Sequence, residues 1–210
     1  MQPHRPGILF IVSAPSGAGK TSLLAELVPA DDGLVLSVSH ATRPMRPGEQ
    51  DGVHYHFVSV EAFEALVEAG AFIEHAQVFD NYYGTSEQAV RDQLADGLDV
   101  VLEIDWQGAR QVRRRFPDAV SVFVAPPSID ALRERLSGRG QDDAAVVDRR
   151  MADARNELSH FPEYDFLVIN DRFDEALADL QAIVRAARLR EPVQAAVHSA
   201  VLADMLGETR

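Results

Sequence analysis

Residues 13–22 read SAPSGAGKTS, between the apolar run ILFIV (residues 8–12) and TSLLAELV, which has helical spacing and stops at Pro29. A short β-branched and aromatic run, a glycine-rich loop and a helix, in that order, form a phosphate-binding unit of the pattern G-x-x-x-x-G-K-[ST]. Gly19, Lys20 and Thr21 fit that pattern, and Ala14 stands where its first glycine belongs. The unit needs a buried central strand whose carboxyl end delivers the loop, so it commits the chain to an α/β fold with a mostly parallel sheet. Backbone N–H groups at the start of such a helix receive a phosphate chain, and Gly17 and Gly19 permit its close approach. Ala14, Pro15, Ser16, Gly17, Ala18, Gly19, Lys20, Thr21 and Ser22 are thus the expected loop for a nucleoside triphosphate, with Lys20 reaching the β- and γ-phosphates and the Thr21 hydroxyl on Mg²⁺. Pro15 holds the residue before it in extended geometry, which alanine tolerates. The bland alternative is an ordinary glycine turn.

Later segments repeat the alternation. LVLSVS from Leu34, YHFVSV, AFIEHAQVF, LDVVLEID (98–105), SVFVA from Ser121 and FLVIN (166–170) have strand character. Helices are expected after Ser59 as far as Gly70, over 85–95 before Gly97, after Ser128, and over 144–158 and 174–189. DNYYG is expected to be a turn, and VQAAVHSAVLADML a terminal amphipathic helix that packs on the body or on a second copy of the chain, which leaves a homo-oligomer open.

Composition removes several function classes. With 210 residues and 46% hydrophobic content the chain can bury a core, and with no cysteine it has neither a disulfide framework nor a thiolate site. A net charge of -13 argues against nucleic acid or an acidic membrane as partner, so any bound anion must meet clustered cations. The start, with His4 and Arg5 before GILFIVSA, superficially fits a secretory signal, but the run leads into the phosphate loop and is better taken as a buried strand. No apolar run reaches membrane-spanning length, and a cytoplasmic location is expected.

A phosphate loop does not name the acceptor. Asn-Lys-x-Asp, which a switch GTPase would need, is absent. In SHATRPMRPGEQDGVHYHF, Arg43 and Arg46 lie three apart on a proline-punctuated loop and can converge on one phosphate through paired hydrogen bonds, or can be a solvated basic loop. Glu74 follows AFI, and Asp105 ends a strand whose carboxyl edge should face the ligand crevice.

The segments SAPSGAGKTS, SVSHATRPMRPGEQDGVHYHF, AFIEHAQVFDNYYGTS, LEIDWQGA, LRERLSGRG and FLVIND, in this order and spacing, resemble the guanylate kinase family from about residue 7 to 190. The family accepts Gly or Ala at the position of Ala14. The resemblance implies a P-loop NTPase-type three-layer fold carrying an inserted GMP-binding lobe and a lid. The core would comprise about 6–38, 98–137 and 160–190, the lobe 39–97, the lid 138–159 and a helical tail 191–210. It implies a nucleoside monophosphate kinase that converts ATP, bound at the loop 14–22, and GMP, with dGMP as a further acceptor, to ADP and GDP in purine metabolism. Ser39, Arg43, Arg46, Tyr55 and Tyr83 would hold the GMP phosphate, with Glu49 supporting the arginines. Glu74, Thr85 and Asp105 would read guanine, whose N1–H and N2–H₂ donors complement a carboxylate. Arg135, Arg139 and Arg150 would compensate phosphoryl charge in and beside the lid, and Asn170 would lie near adenine. Thr85 with Gln88 equally fits a capping box, Tyr82 and Tyr83 could be packing residues, and Arg113 to Arg115 match no family site and suit a solvated helix face. Glu103 has no assignment. Two rival readings are a P-loop kinase for another small acceptor and a non-catalytic scaffold. The scaffold reading expects a degraded loop and neighbouring interaction domains, for which 210 residues leave no room.

Overall fold

The computed structural model describes residues 5–78, 80–137 and 144–208. Strand β1 (Leu9–Ser13) is buried at every position and lies in the middle of a five-stranded sheet. Its loop delivers α1 (Lys20–Leu27). The chain continues through β2 (Leu34–Leu36), β3 (His40–Ala41), β4 (His56–Phe57), α2 (Val60–Glu68), β5 (Phe72–Val78), β6 (Asn81–Ser86) and α3 (Glu87–Ala95). There follow β7 (Asp99–Glu103), α4 (Trp106–Arg115), β8 (Val120–Ala125), α5 (Ile129–Ser137), α6 (Ala144–Leu158), β9 (Phe166–Ile169), α7 (Phe173–Arg188), α8 (Glu191–Val197) and α9 (Ser199–Met205).

The main sheet has the order β2-β7-β1-β8-β9, with every pairing parallel. Because side chains alternate along a strand, Ile8, Phe10 and Val12 enter one core with Leu23, Leu24 and Leu27 of α1 and Leu180 and Val184 of α7. Leu9 and Ile11 enter a second core on the opposite face, with Val90 of α3 and Ala109 and Val112 of α4. Two cores on one sheet make the three layers. A smaller sheet, β4-β3-β6-β5, is built from the segment between β2 and α3.

The layers are joined at one buried carboxylate. Asp99 has no exposed side-chain surface, and it accepts from Arg5 twice at 2.7 Å, from the Ile8 amide at 2.8 Å and from Arg188 Nε at 2.6 Å. Removing it strands the Arg5 guanidinium and the Ile8 amide and leaves Arg188 with Asp31 alone, at 2.6 and 3.1 Å. Those arginines keep 20% and 26% of their side chains exposed, so the loss falls at the low end for a broken buried ion pair. Asp99→Ala is expected to cost about 3 kcal/mol, read from the urea midpoint at unchanged slope. A midpoint within experimental error of the parent would refute the account.

Several local expectations are corrected. DNYYG is not a turn: Asn81–Ser86 is a strand paired antiparallel with β5, Val78 opposite Asn81. Gly84 serves close packing there, since a Cβ would lie 3.0 Å from the Phe72 ring and 3.1 Å from Phe63. LVLSVS does not form one strand, because the chain leaves the main sheet after Leu36 and joins the small sheet at His40. The helix expected from residue 85 begins at Glu87, capped by Ser86, whose hydroxyl accepts from the Ala89 amide. Thr85 is therefore no cap. The terminal helix is two short helices meeting at His198. Val193 packs on the core while Val201, Leu202, Met205 and Leu206 are exposed, so packing continuous enough to hold one straight helix is missing. Arg115 is not simply solvated, for it bonds the Phe72 carbonyl and Glu87 and ties α4 to β5 and α3. No helix among the described residues is long and apolar enough to cross a membrane.

Candidate active site

The loop between β1 and α1 turns through Gly17 (φ 86°) and Gly19 (φ 92°), left-handed backbone that favours glycine. Space excludes side chains there as well. A Cβ on Gly17 would meet Leu132 and Leu136 of α5, and one on Gly19 would lie 2.4 Å from Asn170 Nδ2. Ala14 packs its methyl against the core beneath the loop. Gly19 caps α1 without a side-chain bond, which leaves the helix's first amides to an incoming anion.

Asn170, 5% exposed, donates from Nδ2 to the Ala18 carbonyl at 2.7 Å. Arg135 donates to the Asn170 carbonyl at 2.9 Å. Both residues brace the loop, Asn170 through its side-chain amide and Arg135 from the edge of the open cavity that it also lines. Arg139 lies outside the described residues.

On the open side the loop lines a cavity of about 870 Å³. Ala14, Pro15, Ser16, Gly17, Gly19, Lys20, Thr21 and Ser22 form one wall, and Arg135 with Arg149, Arg150, Asn156 and Glu157 of α6 another. Ala18 is fully buried. Lys20 Nζ lies 3.5 Å from the Ile104 carbonyl and 3.9 Å from Glu103. Thr21 donates to Glu103 Oε1 at 2.5 Å. Glu103 thus belongs to the loop's surroundings, and the signal for it was available: E-I-D places residues 103 and 105 on one side of the strand end.

A second cavity of about 260 Å³ continues from the first, sharing Lys20, Tyr55, Val78 and Asp105. Ser39, Arg43, Arg46, Tyr83 and Glu74 also line it. The Arg43 guanidinium is gripped by both Glu49 oxygens at 2.7 and 2.6 Å and lies 4.9 Å from the Tyr55 ring centre. Arg43 beside it, helped by the Arg46 amide, holds the Glu49 carboxyl down at about 2. Glu49 therefore sets the Arg43 rotamer while leaving its face toward the cavity.

At the other end of this cavity, antiparallel register puts Thr85 opposite Glu74. Thr85 donates to Glu74 Oε1 at 2.6 Å and, with its proton so committed, accepts from Ser39 at 3.0 Å. Glu74 is 3% exposed, and burial pushes its carboxyl up to about 7, with Asp105 adding to the rise and Thr85 opposing it. Thr85 and Glu49 lie one layer behind the lining. Asp105 caps α4 through the Gly108 amide at 2.9 Å and faces both cavities.

Glu157, which nothing in the sequence marked, reaches from α6 to accept from the Ser16 amide at 3.2 Å. Burial raises its carboxyl to about 7, with Lys20 opposing. Behind it, Trp106 stacks on His160 at 3.8 Å, and Arg110 grips Glu163 at 2.7 and 2.6 Å, joining the end of α6 to α4. The arrangement offers a cradle for a phosphate chain beside a pocket that carries Lys20, Arg43 and Arg46 together with Glu103 and Asp105 and ends in the buried Glu74 carboxylate. Among the described residues the two cavities are lined by six cations, Lys20, Arg43, Arg46, Arg135, Arg149 and Arg150, and five carboxylates, Glu74, Glu103, Asp105, Asp153 and Glu157, so in a chain of net charge -13 the site is relatively cation-rich.

The family model described as guanylate kinase matches residues 7–187. A protein named guanylate kinase from Chromohalobacter salexigens is 59% identical over 206 residues, covering 98% of this chain and 96% of that protein. One of the same name from Alkalilimnicola ehrlichii is 59% identical over 202 residues, 96% of this chain and all of that protein. The crystal structure of guanylate kinase from Anaplasma phagocytophilum superimposes with a TM-score of 0.75 at 31% identity, covering 95% of this chain and 97% of that one. With a phosphate loop feeding two joined cavities and likeness over nearly its whole length, this chain belongs to the guanylate kinase family.

Proposed function

We propose that this protein transfers the γ-phosphoryl group of ATP to GMP, giving ADP and GDP. The observation that carries the reading is the continuity of the two cavities through Lys20 and Asp105, which lets a phosphate chain on the loop meet a monophosphate held by Arg43 and Arg46. Family membership supports the same pair of substrates. The acceptor lobe is segment 39–97, the lid is segment 138–159, of which 138–143 lie outside the described residues, and dGMP shares the contacts that do not touch the ribose.

The attacking oxygen belongs to a phosphate already ionised near neutral pH, so the reaction needs alignment and charge compensation more than a strong base. Lys20 and the α1 amides hold the donor's phosphates, and Arg135 and Arg150 approach from the lid side. Arg43 and Arg46, with Tyr55 and Tyr83, fix the acceptor phosphate. Glu74 and Asp105 read the base, with Thr85 holding the Glu74 carboxylate from one layer behind; Ser39, expected on the acceptor phosphate, is bonded to Thr85 at 3.0 Å and so serves the base end of the pocket instead. Mg²⁺ suits the donor set, because the Thr21 hydroxyl and Glu103 carboxylate are hard oxygen ligands at 2.5 Å from each other. Among the described residues no group of three or more acidic, His or Cys side chains could hold a metal alone, which fits an ion that draws its other ligands from phosphates and water. When bound, the ion would neutralise charge on the donor's phosphates.

Acceptor choice is tested with GMP, dGMP, AMP, UMP and CMP at fixed ATP, reading ADP release. GMP is expected to exceed AMP in kcat/KM by about four orders of magnitude, since buried acceptors go unpaired with the wrong base. A flat profile, or preference for a pyrimidine nucleotide, would remove the assignment.

A further inference from the structure

Gly108 is buried within the first turns of α4 and has no positive φ. A glycine in ordinary helical backbone costs about 1 kcal/mol relative to alanine, so conformational freedom does not account for it. Space does. A Cβ at residue 108 would lie 2.6 Å from Glu74 Oε2, 3.2 Å from its carboxyl carbon and 3.4 Å from its Cγ. The carboxylate cannot simply swing aside, because its other oxygen is tied to Thr85 at 2.6 Å and the side chain is 3% exposed. The Thr85 hydroxyl bond goes to Oε1, and Glu74 lines the smaller cavity.

We propose that Gly108 is a positioning residue for base recognition: its missing Cβ is the space in which the Glu74 carboxylate rests, with Oε2 kept open to the donors of guanine. The inference rests on the proposed GMP acceptor site and adds to it a residue that touches no substrate. It also gives residue 108 a role separate from the Asp105 cap, which uses the Gly108 amide and survives any side chain.

The test is a double-mutant cycle of Gly108→Ala with Glu74→Asp, in which kcat and KM are measured for GMP and for ATP, with thermal unfolding as a control. Gly108→Ala is expected to raise the KM for GMP about tenfold or more, as for a disturbed hydrogen bond to a charged group, with the KM for ATP within about twofold. In the Glu74→Asp background, where the carboxylate is drawn back by one methylene, the same substitution is expected to cost less than about threefold. An unchanged KM for GMP in the single variant, or equal losses in both backgrounds, would overturn the inference. The double variant decides the matter even if the single one unfolds, because relief of the clash restores folding only if the clash is with Glu74. A wild-type enzyme that phosphorylates another monophosphate but not GMP would fail at the acceptor reading itself, which separates the two outcomes.

Discussion

Lys20→Ala is expected to lower kcat by about a thousandfold or more while leaving the fold and the KM for GMP nearly unchanged. The side chain starts at the first residue of α1, so its stem is fixed by a helix whose inner face buries Leu23, Leu24 and Leu27. Its ammonium group reaches the junction of the two cavities, 3.5 Å from the Ile104 carbonyl and 3.9 Å from Glu103. That junction is where the transferring phosphoryl group must pass, and charge spreads over its oxygens in the transition state more than in either ground state. A cation placed there lowers the barrier more than it tightens binding, which makes kcat the affected parameter. Alanine has no fold cost at this position, since neither Lys20 contact holds the layers together. Steady-state kinetics with a GMP titration and a circular dichroism melt separate these terms. Near-normal kcat would remove the phosphate-loop role, and a collapsed melt would move the explanation to stability.

The parts of the fold set by strong local patterns were legible in the sequence. ILFIV followed by Gly17, Gly19 and Lys20 located the central strand and loop, and 144–158 was found as the helix it is. The small sheet was legible in part: AFIEHAQVF marked β5 and YHFVSV contained β4, while β3 and β6 were not expected. Its strands β3 and β4 have two residues each and exist because Thr42, His56 and Val58 find backbone partners across the lobe. Tyr82, Tyr83 and Gly84 carry turn-like neighbours, and tertiary pairing with β5 overrides that composition. For the site, Arg43, Glu74 and Asp105 could be named because their chemistry suits a phosphate and a purine. Glu157 could not, since one carboxylate on a charged helix is indistinguishable from its solvated neighbours until the helix docks on the loop. Gly108 was hidden for a related reason: a glycine's meaning lies in what occupies the place of its side chain.

Glu74→Gln is expected to abolish most discrimination between GMP and AMP, and to make the protein more stable above neutral pH. Guanine presents N1–H and N2–H₂ donors to an acceptor pair, and a carboxamide replaces one acceptor with a donor pointed at a donor. A fall in kcat/KM for GMP of about a thousandfold is expected, within the range for buried acceptors denied their partners, with AMP turnover much less affected. Stability moves the other way because burial holds the folded carboxyl near 7, well above its ordinary value. Between about pH 4.5 and 7 the unfolded chain has released this proton and the folded one has not, so wild-type stability falls as pH rises through that window and then levels off. The ionised form costs the folded state about 3 kcal/mol at pH 8, and glutamine removes that cost. Glu157 titrates in the same range and keeps part of the slope, so the variant's profile is flatter but not level. The competent acceptor is the ionised form, so wild-type kcat/KM for GMP should drop below pH 7, whereas the variant should lose that contribution and keep the fall set by the substrate phosphates, whose second ionisation lies at about 6. An unchanged preference for GMP would refute the base-reading role, and an unchanged stability profile would show that the buried carboxylate carries no such strain. The two outcomes together describe a site that retains an unfavourable buried charge because that charge is what distinguishes one purine from the other.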